Sequence, residues 1–230
     1  MIIDLTVEIT PELMARTGAS ESKAPKGHLG THFDVMDCMF PLAYTQRKGI
    51  VFDVSAAAGG KIGVGPTADR DIGVGGATVN GENGAGGVSA AAGGEIGIDD
   101  IALDLVEADM FVAFCTGFLE AEGYGSRRYF AAHPQLSHAL IDALIGRGIS
   151  IIGVDFAGIR RGAEHTPADQ RCADRGVFVV ENLCNLHAVL QGAPHAFFSA
   201  NTYPLHITGL TGLPCRVCAD VPKRATNTEK

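Results

Sequence analysis

Apolar and polar positions along the chain predict a sheet of buried strands with short helices between them. Continuous apolar runs over 110–115, 149–156 and 176–180 predict strands covered on both faces, because only such strands exclude polar side chains. Further strands are predicted over 2–9 and 48–55. Strands outnumber helices and do not alternate strictly with them. The pattern therefore predicts a mixed α/β (α+β) fold, with a mixed sheet and flanking helices in a single domain.

The clearest predicted helix follows Ser137. A serine is a favourable N-cap, apolar residues then recur at helical spacing, and Gly146 ends the run. Shorter helical segments are predicted over 98–106, 169–175 and 183–190. We expect these helices to cover the faces of the sheet.

Residues 57–97 differ from the rest of the chain, because they are rich in Gly and Ala and hold few large side chains. Such a segment buries little apolar surface to offset its ordering entropy. It contains no Walker or G-x-G-x-x-G pattern, which argues against a phosphate-binding loop. We predict one domain over 1–220, with 57–97 as a Gly-rich insertion or hairpin open to a partner subunit, and a flexible tail over 221–230.

Charge and cysteine content narrow the function classes. The 230-residue chain carries a formal charge of −8 without a basic block before its C-terminal tail, which argues against nucleic acid and membrane surfaces as partners. No apolar run reaches the length of a membrane span and no signal-peptide pattern is present, so we expect a cytoplasmic protein. The cysteines lack a disulfide-scaffold spacing and are expected to be free thiols.

The strongest chemical signal is the stretch from His28 to Cys38. Side chains of an extended segment alternate between two faces, so the even-numbered residues share one face. The chemistry-bearing residues on that face are His28, His32, Asp34 and Cys38. Imidazole nitrogens and carboxylate oxygens are the ligands of catalytic zinc, manganese or iron, which favours a metal site. The alternative is a half-buried strand whose polar side chains are hydrogen-bonded.

Further candidates follow two of the predicted strands. Glu181 ends an apolar strand, where a carboxylate is costly to bury unless it is paired or bound to a metal. The predicted loop from 158 to 170 carries His165 together with Arg160 and Arg161. The two arginines are candidates to hold a substrate carboxylate, because guanidinium binds it through two hydrogen bonds. A solvated loop is the alternative interpretation of both.

These motifs resemble those of the cyclase family of metal-dependent hydrolases, which includes kynurenine formamidase and isatin hydrolase. The family motif His-x-Gly-Thr-His-x-Asp-x-Pro-x-His is matched from His28 to Asp34. Other family-like segments follow in the same order: Thr116-Gly117-Phe118, His133-Pro134-x-Leu136-Ser137, Gly153-Val154-Asp155, His165, Glu181-Asn182-Leu183 and Gly212-Leu213-Pro214-x-Arg216. The resemblance covers most of the chain outside the Gly-rich segment.

The resemblance implies a swivelling β/β/α fold, a homo-oligomer such as a dimer or tetramer, and one or two divalent metal ions, with zinc or manganese expected. It also implies hydrolysis of C–N bonds. The metal-site residues that it implies are His28, His32, Asp34, His165 and Glu181. Asp34 and Glu181 would bridge the ions if two are bound.

The chain departs from the family motif at two positions. Met36 replaces the proline, and Cys38 replaces the last histidine, which in formamidases helps to bind a second metal. Cys38 is either a thiolate ligand that favours zinc or a sign that the second site is lost. The further catalytic histidine of the formamidases is also missing, since this region contains Phe40-Pro41-Leu42. These differences indicate a divergent branch with another substrate.

The sequence therefore predicts a metal-dependent hydrolase that cleaves an amide, lactam or ester/lactone bond of a small cyclic or carboxylate-bearing substrate with metal-activated water. His165 and Glu181 are the predicted catalytic residues. Two alternatives stay open. One is a non-catalytic metal-binding protein with the same fold. The other is a thiol redox protein that uses Cys38 or the Cys215/Cys218 pair, although an i, i+3 pair on a strand faces opposite ways.

Overall fold

The computed structural model describes residues 1–16, 27–59 and 93–222, apart from the side chains of 14–16. The strands are β1 (Ile2–Asp4), β2 (His32–Asp34), β3 (Gln46–Asp53), β4 (Glu95–Ile96), β5 (Phe111–Cys115), β6 (Gln135–Leu136), β7 (Ile151–Val154), β8 (Phe178–Glu181), β9 (His195–Pro204) and β10 (Gly212–Asp220). The helices are α1 (Pro11–Arg16), α2 (Phe118–Glu122), α3 (Arg127–Ala132), α4 (His138–Gly146), α5 (His165–Ala173) and α6 (Leu186–Leu190).

Eight of these strands form one sheet in the order β1-β10-β2-β8-β7-β5-β3-β9. Strand β9 also pairs with β10, so the sheet closes on itself. Strands β3, β5, β7 and β8 run parallel, and the remaining pairings in this sheet are antiparallel. The predicted mixed sheet is confirmed.

Two apolar cores lie on the two faces of the closed sheet. All five residues of β5 are buried, with Phe111 and Ala113 in the inner core and Val112 and Phe114 in the core beneath the helices. Burying each large apolar side chain contributes about 1.5–3 kcal/mol, which is why this strand is apolar throughout. By contrast, β10 alternates buried and more exposed residues along its second half, because its outer face has no continuous cover.

The predicted elements agree with the structure best where the apolar pattern is strong. The strand over 110–115 and the helix after Ser137 are confirmed, and the Ser137 hydroxyl accepts a hydrogen bond from the Leu140 amide at 3.1 Å. The predicted helix over 98–106 is wrong, since two single 3-10 turns occupy this region. Helix α5 begins at His165, four residues before the predicted start, which changes which side chains share its face.

Only the two ends of the Gly-rich segment lie in the described part of the chain, and 60–92 lie outside it, as do 223–230 of the predicted tail. The ends meet, because the Gly94 amide donates to the Ala58 carbonyl oxygen at 3.0 Å. Strand β4 then pairs in parallel with β6. None of the described helices is long and apolar enough to cross a membrane.

Candidate metal centre

The paired strands β2 and β8 carry three of the predicted site residues: His32, Asp34 and Glu181. His32 lies opposite Glu181 in their antiparallel register. Phe33 belongs to the inner core, so its neighbours His32 and Asp34 project from the outer face of the sheet. Helix α5 packs against β8. The polar side chains of β2 and β8 are therefore enclosed between the sheet and this helix.

His28, His32 and Asp34 form the first group of possible ligands. The Nδ1 atom of His28 is 2.9 Å from Asp34 Oδ1 and 3.1 Å from His32 Nε2. On its other side, the His28 ring meets the Thr211 hydroxyl through Nε2 at 2.8 Å. Two ring nitrogens and a carboxylate oxygen thus converge on one point.

Hydrogen bonds behind His32 fix which of its nitrogens faces this point. His32 Nδ1 is 2.8 Å from the Gly30 carbonyl oxygen, which can only accept, so Nδ1 carries the proton and donates. The neutral ring then has its lone pair on Nε2, which faces Asp34. The same carbonyl accepts from Asn182 Nδ2 at 2.8 Å, and Tyr129 donates to Asn182 Oδ1 at 2.7 Å. This buried network orients His32 as outer hydrogen bonds orient metal ligands in general.

A second group joins the first through Asp34. Its members are Asp34, His165, Asp169 and Glu181. One ligand atom from each lies within 4.8 Å of the others. His165 Nε2 is 3.3 Å from Asp169 Oδ2 and 3.6 Å from Glu181 Oε1. Glu181 Oε2 is 3.7 Å from His32 Nε2, so this carboxylate lies between the two groups.

The electrostatics of the two groups fit a bound cation. Burial raises the pKa of Asp34, but the neighbouring His28 and His32 outweigh it, so this pKa lies well below its usual range. The pKa of Asp169 lies well above its usual range, because of burial and the neighbouring Asp34 charge. Neither is paired with a lysine or arginine in the described part of the chain. Buried carboxylates of this kind are costly unless a cation compensates them.

The oxygens of these carboxylates are also short of donors. Among the described residues, both oxygens of Asp34 and the Oδ1 atom of Asp169 have no hydrogen-bond partner. The 2.9 Å approach of His28 Nδ1 to Asp34 Oδ1 is therefore a close contact and not a hydrogen bond. Imidazole lone pairs and carboxylate oxygens without donors are a donor set that suits a divalent metal ion.

The structure brings five of the six predicted ligands together: His28, His32, Asp34, His165 and Glu181. Sequence reasoning missed Asp169, because the predicted helix began at that residue and left His165 in a loop. Residues four apart on a helix share a face. A helix beginning at His165 would have pointed to Asp169 as its neighbour.

Cys38, the sixth predicted ligand, is not in either group, and its interpretation needs correction. Strand β2 ends at Asp34, and Met36 then adopts a left-handed φ of 54°, so the shared even-numbered face does not reach Cys38. Its sulfur lies near Asp37 and Asp174 instead. Burial and the Asp37 charge raise the pKa of this thiol, which disfavours the thiolate.

The interpretation of Arg160 also needs correction, because its guanidinium is neither solvated nor available to a substrate. Its guanidinium is buried and donates to Glu95, to Glu164 and to the Leu136 carbonyl oxygen. It therefore ties the base of the Gly-rich segment to the turn that precedes α5. Arg161 is half-buried and donates through Nη1 to the His133 carbonyl oxygen at 2.8 Å.

His133 lies beside this site and gives a prediction about acid stability. Its ring stacks on Phe156, and burial, together with the charges of Arg161 and His165, lowers its pKa to about 4 from 6.5. A lowered folded-state pKa means that stability is fully present above pH 6.5 and is lost as pH falls toward 4. We expect about 2 kcal/mol of the free energy of unfolding to be lost through His133 between pH 7.5 and 5.

This loss in the free energy of unfolding is measured by urea unfolding of the metal-free wild type and of His133→Phe at both pH values. Phe retains the stacked ring and cannot be protonated, so the variant should lose about 2 kcal/mol less than the wild type over the same interval. Equal losses in the two proteins would show that His133 does not titrate on unfolding.

No protein-family model and no curated protein matches the chain. Solved structures do match it. One, described as a potential metal-dependent hydrolase with cyclase activity, is 20% identical and aligns over 95% of this chain and 96% of its own, with a TM-score of 0.60. Isatin hydrolase A from Labrenzia aggregata, bound to benzyl benzoate, is 19% identical over 97% and 94%, with a TM-score of 0.62. Isatin hydrolase A from Ralstonia solanacearum is 17% identical over 96% and 92%, with a TM-score of 0.64. The predicted fold class is thereby confirmed: this chain has the fold of metal-dependent hydrolases of the cyclase and isatin hydrolase type.

Proposed function

We propose that this protein is a metal-dependent hydrolase that cleaves an amide, lactam or ester/lactone bond of a small molecule. The observation that carries the proposal is the convergence of His28, His32 and Asp34, with the His32 lone pair fixed toward Asp34 by the Gly30 carbonyl oxygen. The solved structures with this fold that are described as metal-dependent hydrolases add support.

His28, His32 and Asp34 would hold a divalent metal, with zinc or manganese as the candidates. When bound, such an ion supplies a Lewis acid that polarises a carbonyl and lowers the pKa of water toward neutrality. The enclosed position between sheet and helix limits the water that reaches these side chains. His28 and His165 have side-chain exposures of 23% and 33%, so they mark the open edge by which a substrate would enter.

Proton transfer falls to Glu181 and His165. Glu181 directs Oε2 toward His32 and Oε1 toward His165, so it is placed to accept the proton of the attacking water. His165 contacts Glu181 and is more exposed than it, so His165 would deliver a proton to the leaving atom. Arg161, whose Nε and Nη2 have no hydrogen-bond partner among the described residues, would hold a substrate carboxylate.

His32→Ala is the direct test of this function. Because one of three ligands of the first group is removed, the purified variant should carry about one metal ion per subunit fewer than the wild type, as a site poor in ligands binds weakly. Elemental analysis gives the metal content. A panel of N-formyl aromatics, cyclic imides and lactones, assayed with added Zn²⁺ or Mn²⁺, gives the activity.

The matched control is His206→Ala, since His206 is exposed on the loop between β9 and β10. It should keep both metal and activity. Hydrolysis by His32→Ala at the wild-type rate would exclude this centre as the active site. A wild type that binds metal but cleaves no member of the panel would favour the non-catalytic alternative.

A further inference from the structure

The second group has a composition that the motif alone does not provide. The last position of the motif is Cys38, which lies away from the centre with Asp37 and Asp174. Even so, four ligand atoms gather around one point without it, from Asp34, His165, Asp169 and Glu181. Of these four, only Asp34 belongs to the motif, whereas His165 and Asp169 both lie on α5.

Asp169 has the features of a ligand rather than of an ordinary buried carboxylate. It is 2% exposed, and its Oδ1 has no hydrogen-bond partner among the described residues. Its Oδ2 lies 3.3 Å from His165 Nε2. An acid in this position either orients the histidine or binds the same ion as the histidine.

The nitrogen that Asp169 faces separates these two roles. A carboxylate that orients a metal-binding histidine contacts the ring nitrogen turned away from the metal. Asp169 instead faces Nε2, the same atom that faces Glu181 at 3.6 Å. The Nδ1 side of the ring packs against Gly158. Donor atoms around one ion with bonds of about 2.1 Å lie roughly 3–4 Å apart, and these distances fit that spacing.

We propose that Asp169 is a metal ligand that takes the place of the missing motif histidine, so that Asp34, His165, Asp169 and Glu181 form a second cation subsite beside the first. This subsite has three carboxylates, one imidazole and no thiolate. Carboxylate oxygens favour Mn²⁺, whereas a thiolate would favour zinc. The inference rests on the proposed function only in that both use the same centre. With this subsite filled, His165 and Glu181 Oε1 are ligands, and proton transfer is left to Glu181 Oε2, which faces His32.

Mn²⁺ binding to the full chain tests the proposal. The wild type should bind two Mn²⁺ per subunit and show the paramagnetic resonance signal of an exchange-coupled pair. Asp169→Asn should bind one, with the second ion weakened at least about tenfold, and should show only the signal of isolated Mn²⁺. The matched control is Asp174→Asn, the same change in an exposed carboxylate at the end of α5. It should bind two ions, as should Cys38→Ser.

Three results would overturn the proposal: one Mn²⁺ in the wild type, two in a folded Asp169→Asn, or loss of the second ion in Cys38→Ser. If Asp169→Asn does not fold by circular dichroism, His165→Gln replaces it. That variant should also drop to one ion, and two ions in it would count against the subsite. Two ions without hydrolysis of any panel substrate would support the subsite and contradict the proposed function. Hydrolysis with one ion per wild-type subunit would support the proposed function and contradict the subsite.

Discussion

Asp34→Asn is expected to remove metal binding at both groups and to lower kcat/KM at least about a hundredfold, since even residues outside the ligand shell cost 10–100-fold. Asp34 belongs to both groups, and both of its oxygens lack hydrogen-bond donors among the described residues. Asparagine keeps the shape of the side chain but removes its charge and one acceptor. Among the described residues, Asp34 is the one member that the two groups share.

Two measurements check this result. Elemental analysis after gel filtration gives the metal content, and thermal unfolding with and without added Mn²⁺ or Zn²⁺ shows whether the ion stabilises the folded state. The wild type should gain thermal stability with the ion, and Asp34→Asn should not. The matched control is Asp104→Asn, an exposed carboxylate that should behave as the wild type. If Asp34→Asn gained as much stability from the ion as the control does, the ion would have to bind elsewhere.

Gly158→Ala is expected to displace His165 and to cost activity through the second group. Gly158 has a left-handed φ of +105°, and a Cβ atom there would overlap Nδ1 and Cε1 of the His165 ring. The backbone strain alone costs about 1–3 kcal/mol. The overlap moves the ring as well, so Mn²⁺ affinity and kcat/KM should each fall about tenfold or more, as expected when the geometry of a ligand is disturbed.

Gly162→Ala separates strain from overlap. Gly162 also has a left-handed φ, of +59°, but a Cβ atom there meets no other atom within 4 Å. This variant should therefore lose stability in urea unfolding without losing Mn²⁺ affinity. Equal Mn²⁺ affinities for Gly158→Ala and Gly162→Ala would show that the close approach of Gly158 to His165 does not position the ligand.

The sequence by itself determined the parts of this protein that depend on local pattern. The apolar run before Cys115 became a fully buried strand, and the serine at 137 became a helix cap. The motif keeps His28, His32 and Asp34 close along the chain, but only His32 and Asp34 share strand β2, and His28 meets them after Gly30 turns the chain with a left-handed φ of 61°. Glu181 was predictable because a carboxylate at the end of a buried apolar strand needs a partner.

Only the tertiary structure decided how groups far apart in the chain meet. Two φ values show why spacing was not enough: Met36 turns the chain before Cys38, and Asn182 turns it directly after Glu181. Burial then decided the roles of the charged residues. Arg160 is held by Glu95 and Glu164, whereas Asp169 is enclosed with Asp34 between α5 and the sheet. The sequence names the groups that can bind a metal, but the packing of α5 on the sheet decides which of them share an ion, because ligand atoms must lie within a few ångströms of one another in three dimensions.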